Sequence, residues 1–296
     1  SDLHAQGLPI VCAVNTTTGR EREYAIRPVQ RVKKAVVVGG GPAGLEAARI
    51  LALRGCAVTL FEKEPEPGGQ MRLNRWLPGR EEMAGHLAWL TAAATRAGVT
   101  LRLGTEASAA MVLAEQADAI VIATGATPGL PPIPGIANSP VVGAYDIIRR
   151  PIGGIRRALV IGGGIRGVGV ARILASKGTA VVLTEPGPEL AADIASRSRR
   201  FQTAALQAMP AVSVHLGTTV EALGQSSAVL WNHQQRWTVE GIDLVVPTNF
   251  LLPAAALSDA LYAHPDAPPI YLIGDASQPR GALEATQEAA ALAHRL

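Results

Sequence analysis

The first residues with a chemical reading are three glycines, Gly39, Gly41 and Gly44, spaced G-x-G-x-x-G directly after Val36-Val37-Val38. That spacing lets a strand turn sharply at Gly39, brings backbone close to an anion at Gly41, and seats a helix against the sheet at Gly44. A helix opening at Pro42 and Ala43 turns free amide N–H groups and its positive dipole end toward that anion. Glu62, at the end of the next strand, is placed to accept hydrogen bonds from ribose hydroxyls. Glycine turn and acid together predict a site for a pyrophosphate and its ribose. The alternative is a strand–helix turn that binds nothing.

The same set recurs as Gly162, Gly164, Gly167 and Glu185. Here Ile165 and Arg166 replace Pro42 and Ala43, and Arg166 either pairs with a phosphate or fills an empty site. A glutamate at 185 favours a free ribose 2′-hydroxyl, so a nicotinamide nucleotide here would be NADH rather than NADPH; the other reading is a domain without ligand. Two further segments close strands at the edge where ligands bind: Ala123-Thr124-Gly125 and Gly274-Asp275. Asp275 reads as an acceptor from a ribitol or ribose hydroxyl, or as a turn residue. Cys12 and Cys56 are the two cysteines. Cys12, in a turn-rich run, is either without role or one ligand of a site completed elsewhere; Cys56 reads as packing. No C-x-x-C pair, Ser-His-Asp set or metal-ligand cluster is evident, so no catalytic residue is expected from the chain itself. The histidines, His4, His86, His215, His233, His264 and His294, read as surface or loop residues.

These groups need a scaffold, and the hydrophobic patterning supplies one. Residues 33–64 read as a βαβ unit: a strand at Val36–Val38, a helix from Pro42 to Arg54 stopped by Gly55, and a strand from Ala57 to Phe61. A helix near Glu81–Ala97 and strands at Val99–Leu103 and within 117–135 follow. Residues 156–187 then repeat 33–64 element for element. Beyond them come a helix near Ala195–Ala208 and short strands around Val212–Leu216, Ala228–Trp231, Trp237–Glu240 and Leu244–Val246. A last strand, loop and Ala-rich helix end the chain. The expected fold is α/β, two Rossmann-like dinucleotide-binding domains with the second inserted in the first. The expected boundaries are an N-terminal segment at 1–30, a first domain at 31–145 plus 268–296, and a second at 146–267.

Composition narrows the classes. The 296 residues are 48% hydrophobic but only 4% aromatic, which predicts an aliphatic core. Net charge is +3, with the densest basic run at Arg197, Arg199 and Arg200, read as a solvated helix face, so nucleic acid is not an expected partner. No apolar run is long enough to span a membrane, and the start SDLHAQG lacks a leader pattern. Two cysteines fit a reducing compartment, so a cytoplasmic location is expected.

The segments PIVCAVNTTTGRE, VKKAVVVGGGPAGLEAARILALRG, VTLFEKEPEPGGQ, IVIATGATPGLPPIPG and YLIGDASQPRG resemble the C-terminal half of a flavoprotein family. This is the NADH:flavin oxidoreductase group of 2,4-dienoyl-CoA reductase, trimethylamine dehydrogenase and histamine dehydrogenase, whose two domains are glutathione-reductase-like. The resemblance implies FAD, or ADP alone, on the first domain, with Glu62 and Lys63 at the adenosine ribose. It also implies that Gly69, Gln70 and Arg72 lie over the nucleotide. Cys12 falls on the fourth ligand of the family's 4Fe–4S cluster; the three preceding cysteines and the FMN-bearing (β/α)8 barrel are not in this chain. The resemblance therefore implies a partner subunit carrying barrel and cysteines, or a fragment cut after those ligands, or a relic cysteine. The family departure lies at 243–253, DLVVPTNFLLP, where relatives carry a glycine beside the cofactor; it points toward the amine dehydrogenase branch. The implied function is a flavoprotein oxidoreductase chain passing electrons between flavin or nicotinamide and an Fe–S/FMN unit. A redox-silent ADP-binding scaffold and a stand-alone NADH-dependent flavin reductase are the alternatives.

Overall fold

A computed structural model describes residues 7, 9–150 and 152–296. His4 lies outside the described residues. Strand β1 (Lys34–Val38) is followed by helix α1 (Pro42–Leu53) and strand β2 (Ala57–Phe61). Then come α2 (Met71–Asn74), α3 (Met83–Arg96), β3 (Thr100–Arg102), α4 (Ala109–Ala114), β4 (Ala119–Ile122) and β5 (Ala126–Pro128). The second unit holds α5 (Ala144–Arg149), β6 (Arg157–Ile161), α6 (Ile165–Ser176), β7 (Ala180–Glu185), α7 (Ser196–Gln207) and β8 (Val212–Leu216). It continues with β9 (Thr219–Leu223), β10 (Ser227–Trp231), β11 (Arg236–Glu240), β12 (Leu244–Pro247) and β13 (Leu251–Pro253). Helix α8 (Ala256–Tyr262), β14 (Ile270–Leu272) and α9 (Ala282–Arg295) end the chain.

The first sheet is parallel, in the order β14-β4-β1-β2-β3. Its middle strand β1 is covered on both faces, which is why Val36, Val37 and Val38 run without alternation. Val37 packs with α1 and α9 on one face, and Val36 and Val38 with Leu261 of α8 on the other. Ala285, Ala289, Ala290 and Ala293 of α9 are buried in the core shared with α1; side chains this small allow close helix packing. The second sheet, β12-β6-β7-β8, is likewise parallel, and an antiparallel sheet β11-β10-β9 lies beside it.

The expected strands and helices form, with ends shifted by a residue or two. The N-terminal segment contains no helix or strand among its described residues, but Thr16, Tyr24 and Val29 bury into the first domain. The chain crosses between the two cores through a ribbon in which β13 pairs antiparallel with β5. Tyr145 and Ile147 therefore belong to the second core, and Leu257 and Leu261 to the first. The crossing ribbon lies near 128 and 253, inside the expected boundaries at 145/146 and 267/268, and Leu73 and Leu77 of the first stretch also bury in the second core.

Candidate functional site

The first glycine turn is built by close approach. A Cβ on Gly39 would stand 2.2 Å from the Ala123 carbonyl oxygen, and one on Gly44 1.9 Å from the Gly39 carbonyl oxygen. Both positions exclude any side chain. Gly41 differs: its backbone is extended (φ −72°, ψ 179°), and a Cβ there meets nothing within 4 Å among the described residues. Glycine at 41 thus serves open space at the start of α1, where the dipole and unpaired amides favour a phosphate. Pro42 supplies the first helical residue without an N–H, and Ala43 is buried beneath it.

Glu62 is buried at the tip of β2 and fixed by two backbone donors. The Gly40 amide donates to its Oε2 at 2.6 Å and the Glu64 amide to its Oε1 at 2.9 Å. Each oxygen keeps a lone pair for a ribose hydroxyl. The loop after β2 folds over the turn: the Gly68 amide donates to the Gly40 carbonyl at 2.6 Å, and Gly69 lies against Gly41. Gln70 faces away, donating to the Ala126 carbonyl at 3.1 Å and accepting from the Tyr145 hydroxyl. Burial pushes the Tyr145 hydroxyl up to about 12, so it remains a donor. Arg72 is committed to the loop itself, through Glu64 at 3.0 Å and the Glu66 carbonyl at 3.0 Å; it braces the cover. Lys63 is exposed beside Glu62.

Two segments complete the rim. The Thr124 hydroxyl donates to the Ala254 carbonyl at 3.0 Å, and the Ala254 amide to the Gly125 carbonyl at 3.0 Å, so this strand end is tied to the crossing ribbon. Gly274 sits against α1, where a Cβ would be 3.0 Å from that of Ala43. Asp275 accepts the Arg280 amide at 2.9 Å, is half-buried, and has its pKa raised, chiefly by burial. Gly39, Gly41, Pro42, Ala43, Gly44, Glu62, Gly69, Ala123 and Gly274 thus converge on one turn. Arg72 and Gln70 support it from the cover.

The second turn repeats the frame. A Cβ on Gly167 would stand 1.9 Å from the Gly162 carbonyl oxygen, and Glu185 accepts from the Gly163 and Gly187 amides, each at 2.7 Å. Arg166 turns toward the chain's own groups, with its Nε buried and unpaired. Its guanidinium donates to the Thr248 carbonyl at 2.6 Å and lies 4.9 Å from the centre of the Tyr145 ring. Gly164 is buried, and Asn249 stands beside it in the segment where no glycine was found.

Cys12 is a half-buried free thiol whose sulfur accepts the Asn15 amide at 3.4 Å. Two contacts pin its segment: Gln287 of α9 donates to the Cys12 carbonyl at 3.1 Å, and Thr16 donates to Glu46 of α1 at 2.6 Å. Among the described residues no group of three or more His, Cys, Asp or Glu side chains is placed to hold a metal. The residues present therefore do not fit a complete iron–sulfur cluster, which needs about four thiolates. His86, His215 and His294 correct the surface-or-loop expectation. They lie in α3, β8 and α9, half-buried, with rings against Trp89, Trp237 and Tyr24. Among the described residues no helix is long and apolar enough to cross a membrane. Sequence reasoning missed Tyr145, Thr248, Asn249 and Asp193, which no local motif marks.

A family model described as pyridine nucleotide-disulphide oxidoreductase matches residues 33–247. The chain is 37% identical over 218 residues to bilirubin reductase of Mediterraneibacter gnavus, covering 73% of this chain and 34% of that one. It is 38% identical over 199 residues to NADH oxidase of Thermoanaerobacter brockii, covering 66% and 31%. The chain thus spans about a third of the length of these relatives. A 2-naphthoyl-CoA reductase structure superposes with TM-score 0.84 at 30% identity, over 97% of this chain and 43% of its own. Histamine dehydrogenase from Rhizobium sp. 4-9 shares the fold, with TM-score 0.88 at 23% identity over 99% of this chain and 46% of its own. These likenesses agree with the C-terminal half of the NADH:flavin oxidoreductase group. With both glycine turns inside the matched span, the chain belongs to the pyridine nucleotide-disulphide oxidoreductase family.

Proposed function

We propose that this chain is the nucleotide-binding part of a flavoprotein oxidoreductase, holding FAD, or ADP, on its first glycine turn. The observation that carries this is the open space at Gly41 next to the fixed carboxylate of Glu62. A Cβ at 41 would fill the cradle, and the buried acid stands where a ribose belongs. The amides at the start of α1 hold the pyrophosphate, Glu62 the adenosine ribose, and Asp275 a hydroxyl farther along the ligand. The flavin, when bound, supplies the electron-transfer chemistry. The chain's own residues bind, orient and shield it: the 63–70 loop covers the turn, and Tyr145 holds Gln70 in that cover.

The reading extends to a partner. An Fe–S/FMN unit of the dienoyl-CoA reductase or amine dehydrogenase type exchanges electrons with this flavin, carried on another subunit or another part of the same protein. Cys12 supplies one thiolate to a cluster completed there. The pinned segment around Cys12 supports that role, since a ligand offered across an interface needs a fixed backbone. The test is the purified chain's absorbance. A flavin band near roughly 450 nm supports the oxidoreductase; adenine absorbance alone favours an ADP-loaded scaffold; a chain empty under excess FAD and ADP ends the proposal.

A further inference from the structure

The two glycine turns correspond without insertion from strand to covering loop. Gly40 matches Gly163, Pro42 matches Ile165, Glu62 matches Glu185, Gly68 matches Ala191 and Gln70 matches Asp193. The covers close alike: Gly68 donates to the Gly40 carbonyl at 2.6 Å and Ala191 to the Gly163 carbonyl at 2.7 Å. Against this shared frame two of the differences, at Pro42/Ile165 and Gln70/Asp193, are complementary. Pro42 has no N–H to offer at the start of α1, whereas Ile165 does. Gln70 turns toward Ala126 and Tyr145, whereas Asp193 turns inward. The Ile165 amide donates to Asp193 Oδ1 at 2.9 Å and Oδ2 at 3.2 Å.

The space differs accordingly. A Cβ on Gly41 meets nothing within 4 Å among the described residues, but one on Gly164 would lie 3.0 Å from Asp193 Oδ2 and 3.3 Å from the Asn249 amide. Buried Leu190 closes over Gly163. Ala191 holds a left-handed backbone (φ 50°) that alanine seldom adopts, so the cover is shaped by its surroundings. A helix N-terminus attracts a phosphate because free amides meet a negative charge. At α6 a carboxylate of the chain itself meets them, while the neighbouring cation, Arg166, is committed to Thr248 and Tyr145.

We propose that Asp193 is the specificity-determining residue of the second domain. Its carboxylate holds the phosphate position of that turn, so the chain takes nucleotide at the first turn and rejects NADH and NADPH at the second. Electron supply from the partner unit then follows, a consequence that rests on the function proposed above. Asp193 itself is exposed, so replacing it leaves the core intact.

The test is calorimetric titration of NADH into the full chain, with native mass spectrometry counting nucleotides. Wild type should show no saturable NADH binding up to about 1 mM, the upper end of ordinary working affinities. D193A should bind NADH at least about tenfold tighter than wild type, as expected for freeing an anion position at a helix N-terminus. D193N keeps the acceptor but not the charge, should fall between, and reads the same effect if D193A does not fold. Micromolar NADH binding by wild type overturns the proposal. So does failure of both variants to gain affinity while they melt as wild type does. A chain whose first turn stays empty while the Asp193 variants gain NADH would refute the flavin reading and leave this one standing.

Discussion

Gly41→Ala separates the space a ligand needs from the space the fold needs. In the unliganded protein the new methyl meets nothing within 4 Å among the described residues, and the extended backbone at 41 suits alanine. Two small effects oppose each other. Alanine is a poorer N-cap than glycine, costing about 0.5–1 kcal/mol. It also restricts the unfolded chain, which stabilises by about 0.4–1 kcal/mol. The net change stays within about 1 kcal/mol, or a melting shift under about 4 °C. In the complex the methyl occupies the phosphate's place. Overpacking of this kind costs about 1–3 kcal/mol, a loss of about five- to 150-fold in affinity. The assay is melting of nucleotide-stripped protein beside calorimetric titration of FAD and of ADP. Gly44→Ala is the contrast: its methyl would sit 1.9 Å from the Gly39 carbonyl oxygen, so the stripped protein itself should lose several degrees. Wild-type affinity in Gly41→Ala refutes the assignment of that space to a phosphate, and a marked fall in its unliganded melting point refutes the claim that the space is open.

Glu62→Gln places an amide NH2 against the Gly40 or Glu64 N–H and removes charge-assisted bonds, so urea unfolding should show a loss of about 1–3 kcal/mol. Asp275 has a pKa raised above the ordinary 3.8, so the fold binds its proton more tightly than the unfolded chain does. Its contribution is full below pH 3.8 and is lost as pH rises through the folded value; Asp275→Asn should be more stable than wild type at neutral pH, with the gap closing in acid melts. Burial pushes the Cys56 thiol up to about 11, leaving thiolate on the order of one part in a thousand at pH 8. A disulfide reagent should therefore titrate one thiol per native isolated chain, and Cys12→Ser should abolish that reaction.

The glycine turns were legible because their chemistry is local: Gly39, Gly41, Gly44 and Glu62 are set by strand, turn and strand within one βαβ unit. The same locality made the second unit readable as a repeat. Asp193 was not legible, since it is a surface residue in a loop whose meaning depends on Ile165 having an N–H where Pro42 has none. The resemblance implies Arg72 over the nucleotide; its pairing with Glu64 within the covering loop is a tertiary contact that no motif shows. Tyr145 reaches Gln70 from a segment that sequence alone gave no element, because α5 is too short to show a period. The crossing ribbon is hidden from sequence for a related reason: β5 and β13 are three residues each, and each contains a proline.

That ribbon sets how the insert is attached. Pro128 stands opposite Leu251, so the polypeptide leaves the first domain and returns to it on neighbouring rungs. Topologically the entire second domain is a hairpin tip swollen to domain size. Closure entropy grows only with the logarithm of loop length, so the host fold is hardly burdened by what it carries there. The ribbon is not the sole tie: Arg172 of α6 donates to the Pro78 carbonyl at 3.0 Å, Gln202 of α7 to the Gly79 carbonyl at 3.1 Å, and Leu73 and Leu77 bury in the second core, so the stretch after the covering loop is anchored in the insert.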